Sequence, residues 1–114
     1  MKNCTDIEQS KKLAEILPLE SADMMWDDWS LIDEGWKLSV GYYPEIEKDY
    51  GRKCYPAWSL AALLEQFEDT AGLAKDYGLW FCYDNRKSHC SKHYDNPVDA
   101  AFELICWLLE NEKI

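Results

Sequence analysis

The spacing of apolar residues changes period along the chain, and each change marks an element. Ile7, Ala14 and Leu17, with Leu13 and Ile16 beside them, recur at helical spacing while Glu8, Lys11, Lys12 and Glu15 fall on the other side. That pattern predicts an amphipathic helix over residues 5–17. Thr5 and Glu8 have the capping-box spacing, and Pro18 stops the helix. Further on the period drops to two: Trp36, Leu38, Val40 and Tyr42 alternate with Lys37, Ser39, Gly41 and Tyr43, so the first set shares one strand face. Residues 23–32 are aromatic and β-compatible, and Asp33-Glu34-Gly35 supplies a polar turn, which makes a hairpin. Residues 44–56, with two prolines and Gly51, read as a loop with its tip at 49–53.

The second half repeats the alternation of periods. Residues 56–67 predict a short helix in which Ser59 caps and Leu60, Leu63, Leu64 and Phe67 share a face. Residues 77–83 are a strand, apolar on both faces, of the kind that is central or covered on both sides. Asn96-Pro97-Val98-Asp99 marks a helix start running to about Asn111. Val98, Ala101, Phe102, Ile105, Leu108 and Leu109 form its main stripe, while Leu104 and Trp107 fall on a second face. The order α-β-β-α-β-α over residues 1–114 predicts a single α+β domain, a small, mainly antiparallel three-stranded sheet packed with helices.

Composition sharpens this. The 114 residues carry 12 Lys+Arg against 22 Asp+Glu, a formal net charge of −10. With 47% hydrophobic residues and six Trp, the chain has the apolar area that disordered chains lack. Its length buries roughly 65% of the unfolded surface, enough for one core without metal or disulfide staples. An acidic chain is repelled by every phosphate, so direct nucleic-acid binding is not expected. No apolar run approaches the roughly 20 residues of a membrane span, and the N-terminus leads into polar residues rather than a signal sequence. Five cysteines, Cys4, Cys54, Cys82, Cys90 and Cys106, form no C-x-x-C pair and suit reduced thiols, so the expected compartment is the cytoplasm.

The stretches Pro56-Ala-Trp-Ser-Leu-Ala-Ala-Leu-Leu-Glu65, Tyr77-Gly-Leu-Trp-Phe81 and Asn96-Pro-Val-Asp-Ala-Ala-Phe-Glu-Leu-Ile-Cys-Trp-Leu-Leu-Glu110 resemble small uncharacterised proteins of phages, prophages and mobile elements of gut Bacteroides-type bacteria. They also loosely resemble the phage domain called the ABA sandwich, in which a helix, an aromatic strand and a C-terminal alanine-rich helix recur. The resemblance implies a fold and a genomic setting. It brings no catalytic positions, and its signature residues Trp58, Leu60, Leu63, Trp80, Ala100 and Trp107 are of a type that packing explains.

Candidate chemistry is sparse. Cys82, His89, Cys90 and His93 offer soft and imidazole ligands, but their spacing is not that of a zinc knuckle, and no metal or other cofactor is expected. Cys90 and His93, flanked by Arg86, Lys87 and Lys92, are the material for a small Cys/His enzyme. Nothing in the sequence supplies an oxyanion hole or an orienting group, so the chain reads as non-catalytic. The adjacent acids Asp27-Asp28 and Asp33-Glu34 would point to opposite strand faces and read as solvated surface rather than a shared-proton dyad.

Two binding modes follow. Residues 20–34 hold six acids and residues 99–112 four, with no Lys or Arg in either, whereas residues 86–93 are basic. Acids of the hairpin and the last helix side by side would make a DNA-like surface that occupies a nuclease or DNA-binding protein. The other mode rests on the aromatics. Six Trp and seven Tyr exceed what so small a core covers, so some of Trp26, Trp29, Trp36, Tyr42, Tyr43, Tyr50 and Tyr55 should be exposed unless the 44–55 loop folds over them. Trp and Tyr bring large apolar area at low rotamer entropy, which favours an interface. The preferred reading is a protein-interaction module with an unidentified protein partner, its interface drawn from Trp26, Trp29, Trp36, Tyr42 and Tyr43 with Asp27, Asp28, Asp33 and Glu34. The sequence carries no mark of an oligomeric state.

Overall fold

The computed structural model describes residues 2–28, 35–45, 47, 51 and 53–111. The chain runs α1 (Ile7–Ile16), β1 (Met24–Asp28), β2 (Trp36–Val40), β3 (Cys54–Ala57), α2 (Leu60–Leu64), β4 (Ala71–Asp76), β5 (Leu79–Asp84), β6 (His89–Cys90) and α3 (Pro97–Asn111). A 3-10 turn at Leu19–Ser21 follows α1. The α+β class and the expected elements are present, but the strands form two antiparallel sheets, ordered β2-β1-β3 and β4-β5-β6, rather than one.

Capping residues set where the helices begin. Asp6, not Thr5, caps α1: its carboxylate accepts from the Gln9 amide at 2.8 Å while the Gln9 side chain accepts from the Asp6 amide at 3.1 Å. The Ser59 hydroxyl accepts from the Ala62 amide at 3.2 Å, and the Asn96 side chain accepts from the Asp99 amide at 2.9 Å. The helix expected over 56–67 is shorter than its pattern because Cys54–Ala57 is drawn into the first sheet as β3.

Trp58 is fully buried, with its indole donating to the Ser21 hydroxyl at 2.9 Å. Leu13, Leu63, Cys82, Val98, Ala101, Leu104 and Ile105 surround it in one core. Helix α3 packs on β5, β4 and α2, and α1 packs on β3 and α3. The molecule measures 46 × 35 × 17 Å, and the thin dimension is that of one sheet layer and one helix layer.

The first sheet has two unlike edges. Beyond the end of β3, Cys4 bridges Ser59 and the Thr5 amide donates to the Trp58 carbonyl at 2.9 Å, so the N-terminal segment closes that side. Among the described residues no strand pairs with the outer edge of β2.

Candidate functional site

The register of the first sheet decides which hairpin side chains stand together. Met24 pairs with Val40 and Ala57, Trp26 with Leu38 and Tyr55, and Asp28 with Trp36. Directly paired residues project to the same side, so Trp36, Leu38 and Val40 continue a face begun by Met24, Trp26, Tyr55 and Ala57. Helix α1 covers the β3 end of that face: the Lys11 ammonium lies 5.2 Å from the Tyr55 ring, and the Trp26 indole donates to the Thr5 carbonyl at 2.9 Å. Trp26 is therefore half-buried and held in place. Trp36 is also half-buried, its ring 5.5 Å from that of Tyr55 at an angle of 44°. Nothing among the described residues covers the rest of the row, where Leu38 is 38% and Val40 80% exposed.

The opposite face behaves differently. Met25, Asp27, Cys54 and Pro56 are buried. Burial pushes the Cys54 thiol and the Tyr42 hydroxyl above their usual ranges. Tyr42 is half-buried near Cys54, whose charge adds to the upward shift of its hydroxyl. Tyr43 remains 50% exposed, its ring laid against Gly41, where φ is +88° and an added Cβ would meet the ring at 2.8 Å.

Asp27 corrects the reading of the acid pairs. It is 4% exposed, opposite Lys37 and Cys54 in register, so it is part of the packed face and not solvated surface. Asp28 is half-buried. Trp29, Asp33, Glu34 and Tyr50 lie outside the described residues.

The acids of α3 do not stand as a bare negative stripe. Asp99 takes the Lys2 ammonium at 2.7 Å, Glu110 takes Lys12 at 3.1 Å, and Glu103 accepts from the Lys92 amide at 2.6 Å and the Tyr94 hydroxyl at 2.9 Å. Burial pulls the Asp99 carboxyl upward, but hydrogen bonds from Lys2, Asn96 and Gln9 outweigh it and hold Asp99 below its usual range.

In the second sheet the candidate metal and nucleophile residues are divided between two faces. Cys82 and Asp84 point to α3, and His89, opposite Asp84, stacks on Trp107 of α3 at 3.7 Å and 6°. Cys90 pairs with Tyr83 and so shares the outer face, where His93 lies 4.8 Å from Phe81. Among the described residues no group of three or more His, Cys, Asp or Glu is arranged to hold a metal. Burial pushes the Cys82 thiol to about 12 and the Cys106 thiol to about 11.

The pattern of Tyr77–Tyr83 also suggested a strand covered on both sides, and β5 is indeed central. Its alternation sorts the two sides: Trp80, Cys82 and Asp84 face α3, whereas Leu79, Phe81 and Tyr83 form a row on the outer face. Beside α3 a shallow cleft of about 540 Å³ is lined by Lys12, His89, Lys92, Tyr94, Glu103 and Trp107, among others, but its carboxylates already hold the partners named above. No known protein family, curated protein or solved structure matches the chain.

Proposed function

We propose that the chain is a non-catalytic protein-interaction module whose contact surface is the open row Trp36, Leu38 and Val40, with Trp36 as its anchor. The observation that carries this reading is Val40, a β-branched side chain left 80% exposed beside Leu38 and Trp36 on one strand face. Single exposed apolar residues are ordinary, whereas an aligned row next to a half-buried Trp has the make-up of an interface centre. The partner is a protein rather than nucleic acid or membrane, met in the cytoplasm, which five free thiols suit. The resemblance read from residues 56–65, 77–81 and 96–110 supports a bacterial host as the setting of that partner.

The row favours this reading over a DNA mimic, because the acids of α3 carry local cations and α3 packs on the second sheet and the other helices. It favours it over a Cys90–His93 enzyme, because His93 is engaged against Phe81. Among the described residues no helix is long and apolar enough to cross a membrane.

A photo-crosslinking residue placed at Val40 in the native host tests the site. The expected result is an adduct with one dominant protein from Val40 and none from Glu65, an exposed control position. Adducts formed equally from both positions, or from neither, would overturn the assignment.

A further inference from the structure

We infer that a second copy of this chain docks on the free edge of β2, antiparallel to it, so that two three-stranded sheets join into one of six. This deepens the interaction-module reading by naming one occupant of the same strand.

The backbone pattern makes the edge available. The Gly41 amide donates to the Asp23 carbonyl at 2.7 Å, which fixes Asp23–Gly41, Met25–Ser39 and Asp27–Lys37 as the pairs that exchange bonds between β1 and β2. Lys37 and Ser39 therefore turn their N–H and C=O groups inward to β1. Those of Trp36, Leu38 and Val40 turn outward, where no described strand meets them. A row of unpaired edge groups is a template for another strand. Natural edges are usually blunted by proline, a bulge or several charges, and the only charge on this strand is Lys37.

The sequence of β2 complements itself. With the two-fold axis at Leu38, Leu38 meets Leu38 of the second copy and Trp36 meets its Val40. These three pairs are the outward-facing ones, so each exchanges both backbone bonds. Lys37 then faces Ser39, and no charge meets its like. Moving the axis to Lys37 would set ammonium against ammonium, which is destabilising between directly opposed residues. Moving it to Ser39 would set Lys37 against Gly41, beyond the end of the strand and at φ +88°. Only the Leu38 register uses all five residues of β2 and sets no like charges opposite one another across the new seam. It also joins the two exposed rows into one continuous apolar surface.

Charge gives the dimer a signature. Each copy carries −10, so the two bodies repel while the contact itself is apolar and backbone-bonded. Association should tighten as salt screens the repulsion, by roughly threefold or more between 0.05 and 0.5 M.

Sedimentation equilibrium of the isolated full chain, combined with residue-resolved amide exchange, tests the proposal without any host partner. Mass should double from 13.4 kDa at about 100 µM protein, and doubling should strengthen with salt. Amide exchange of Trp36, Leu38 and Val40 should slow as concentration rises, while that of Lys37 and Ser39 stays constant. Leu38→Lys and Leu38→Glu should each be monomeric with wild-type circular dichroism, and a mixture of the two should recover a mixed dimer. A chain that stays monomeric at that concentration overturns the proposal. So does a dimer in which the three outward amides exchange unchanged, a measurement that needs no variant to fold. Either failure, with Val40 still crosslinking to another protein, leaves the interaction-module reading standing. A Val40 adduct formed only between copies of this chain would instead replace the host partner with the second copy.

Discussion

Thr5 and Trp58 are joined by two hydrogen bonds: the Thr5 amide donates to the Trp58 carbonyl at 2.9 Å, and the Trp58 amide donates to the Thr5 hydroxyl at 3.1 Å. The same hydroxyl lies 2.8 Å from that of Ser10, and all three residues are fully buried. This small network ties the start of α1 to the strand that precedes α2, and it seats the largest side chain of the core.

Thr5→Val keeps the shape of the side chain and removes the acceptor, leaving the Trp58 amide without its partner. The expected loss is about 1–3 kcal/mol in urea unfolding. Thr5→Ser, which keeps the hydroxyl, should lose less than half as much. Equal losses in both variants would place the effect in packing and not in the network.

Lys2 and Asp99 give the fold a defined pH response. The Asp99 carboxyl is held below its ordinary value of 3.8, so its contribution is present above that value and lost as pH falls through the lower folded one. For Lys2, burial opposes the charge, but hydrogen bonds from its ammonium to Asp99 and Asp6 outweigh it and raise the folded value above 10.5. That contribution is complete below 10.5 and is lost only at more alkaline pH. The stability difference between wild type and Asp99→Asn, measured by urea titration, should be flat from about pH 5 to 9 and shrink below about pH 4. A difference that persists unchanged at about pH 2 contradicts the assignment.

The thiols should divide one against four. Cys90 is exposed, whereas burial raises Cys4, Cys54, Cys82 and Cys106. A disulfide reagent at neutral pH should label Cys90 alone in the folded protein, at the rate of a model thiol, and the other four only on unfolding. Labelling of Cys90 faster than a model thiol would speak for the Cys90–His93 enzyme instead.

Much of the fold was legible where local chemistry and tertiary demand agree. Asn96-Pro97 marks the start of α3 because the cap and the missing N–H both suit a first turn, and Trp36–Val40 is a strand, as its period of two predicts, although Lys37 to Val40 are exposed on both faces. The second sheet partner of each half was not legible. Pro56 argued for a loop, yet it pairs with Met25 at a position whose amide would point away from β1, so β3 loses no bond to β1 by holding a proline. Ala71–Asp76 has weak strand propensity and becomes β4 because Tyr77 and Gly78, at φ 51° and 80°, make a tight turn that returns the chain along β5. Of the proposed interface, Trp36 is open on its row and Tyr43 is exposed, whereas Trp26 and Asp27 are claimed by α1 and the packed face. Burial of that kind depends on which loop folds back, which periodicity does not encode.

Whether the apolar row led by Trp36 carries partner binding is decided by the association and dissociation rates of the crosslinked host protein, repurified free, measured at low and high salt. Trp36→Ala should speed dissociation roughly 30-fold, about 2 kcal/mol, while the wild-type association rate changes little between 0.05 and 0.5 M salt. A wild-type association rate that collapses at 0.5 M, where the Debye length is roughly 4 Å, with dissociation untouched by Trp36→Ala, would contradict it and favour the acidic mimic.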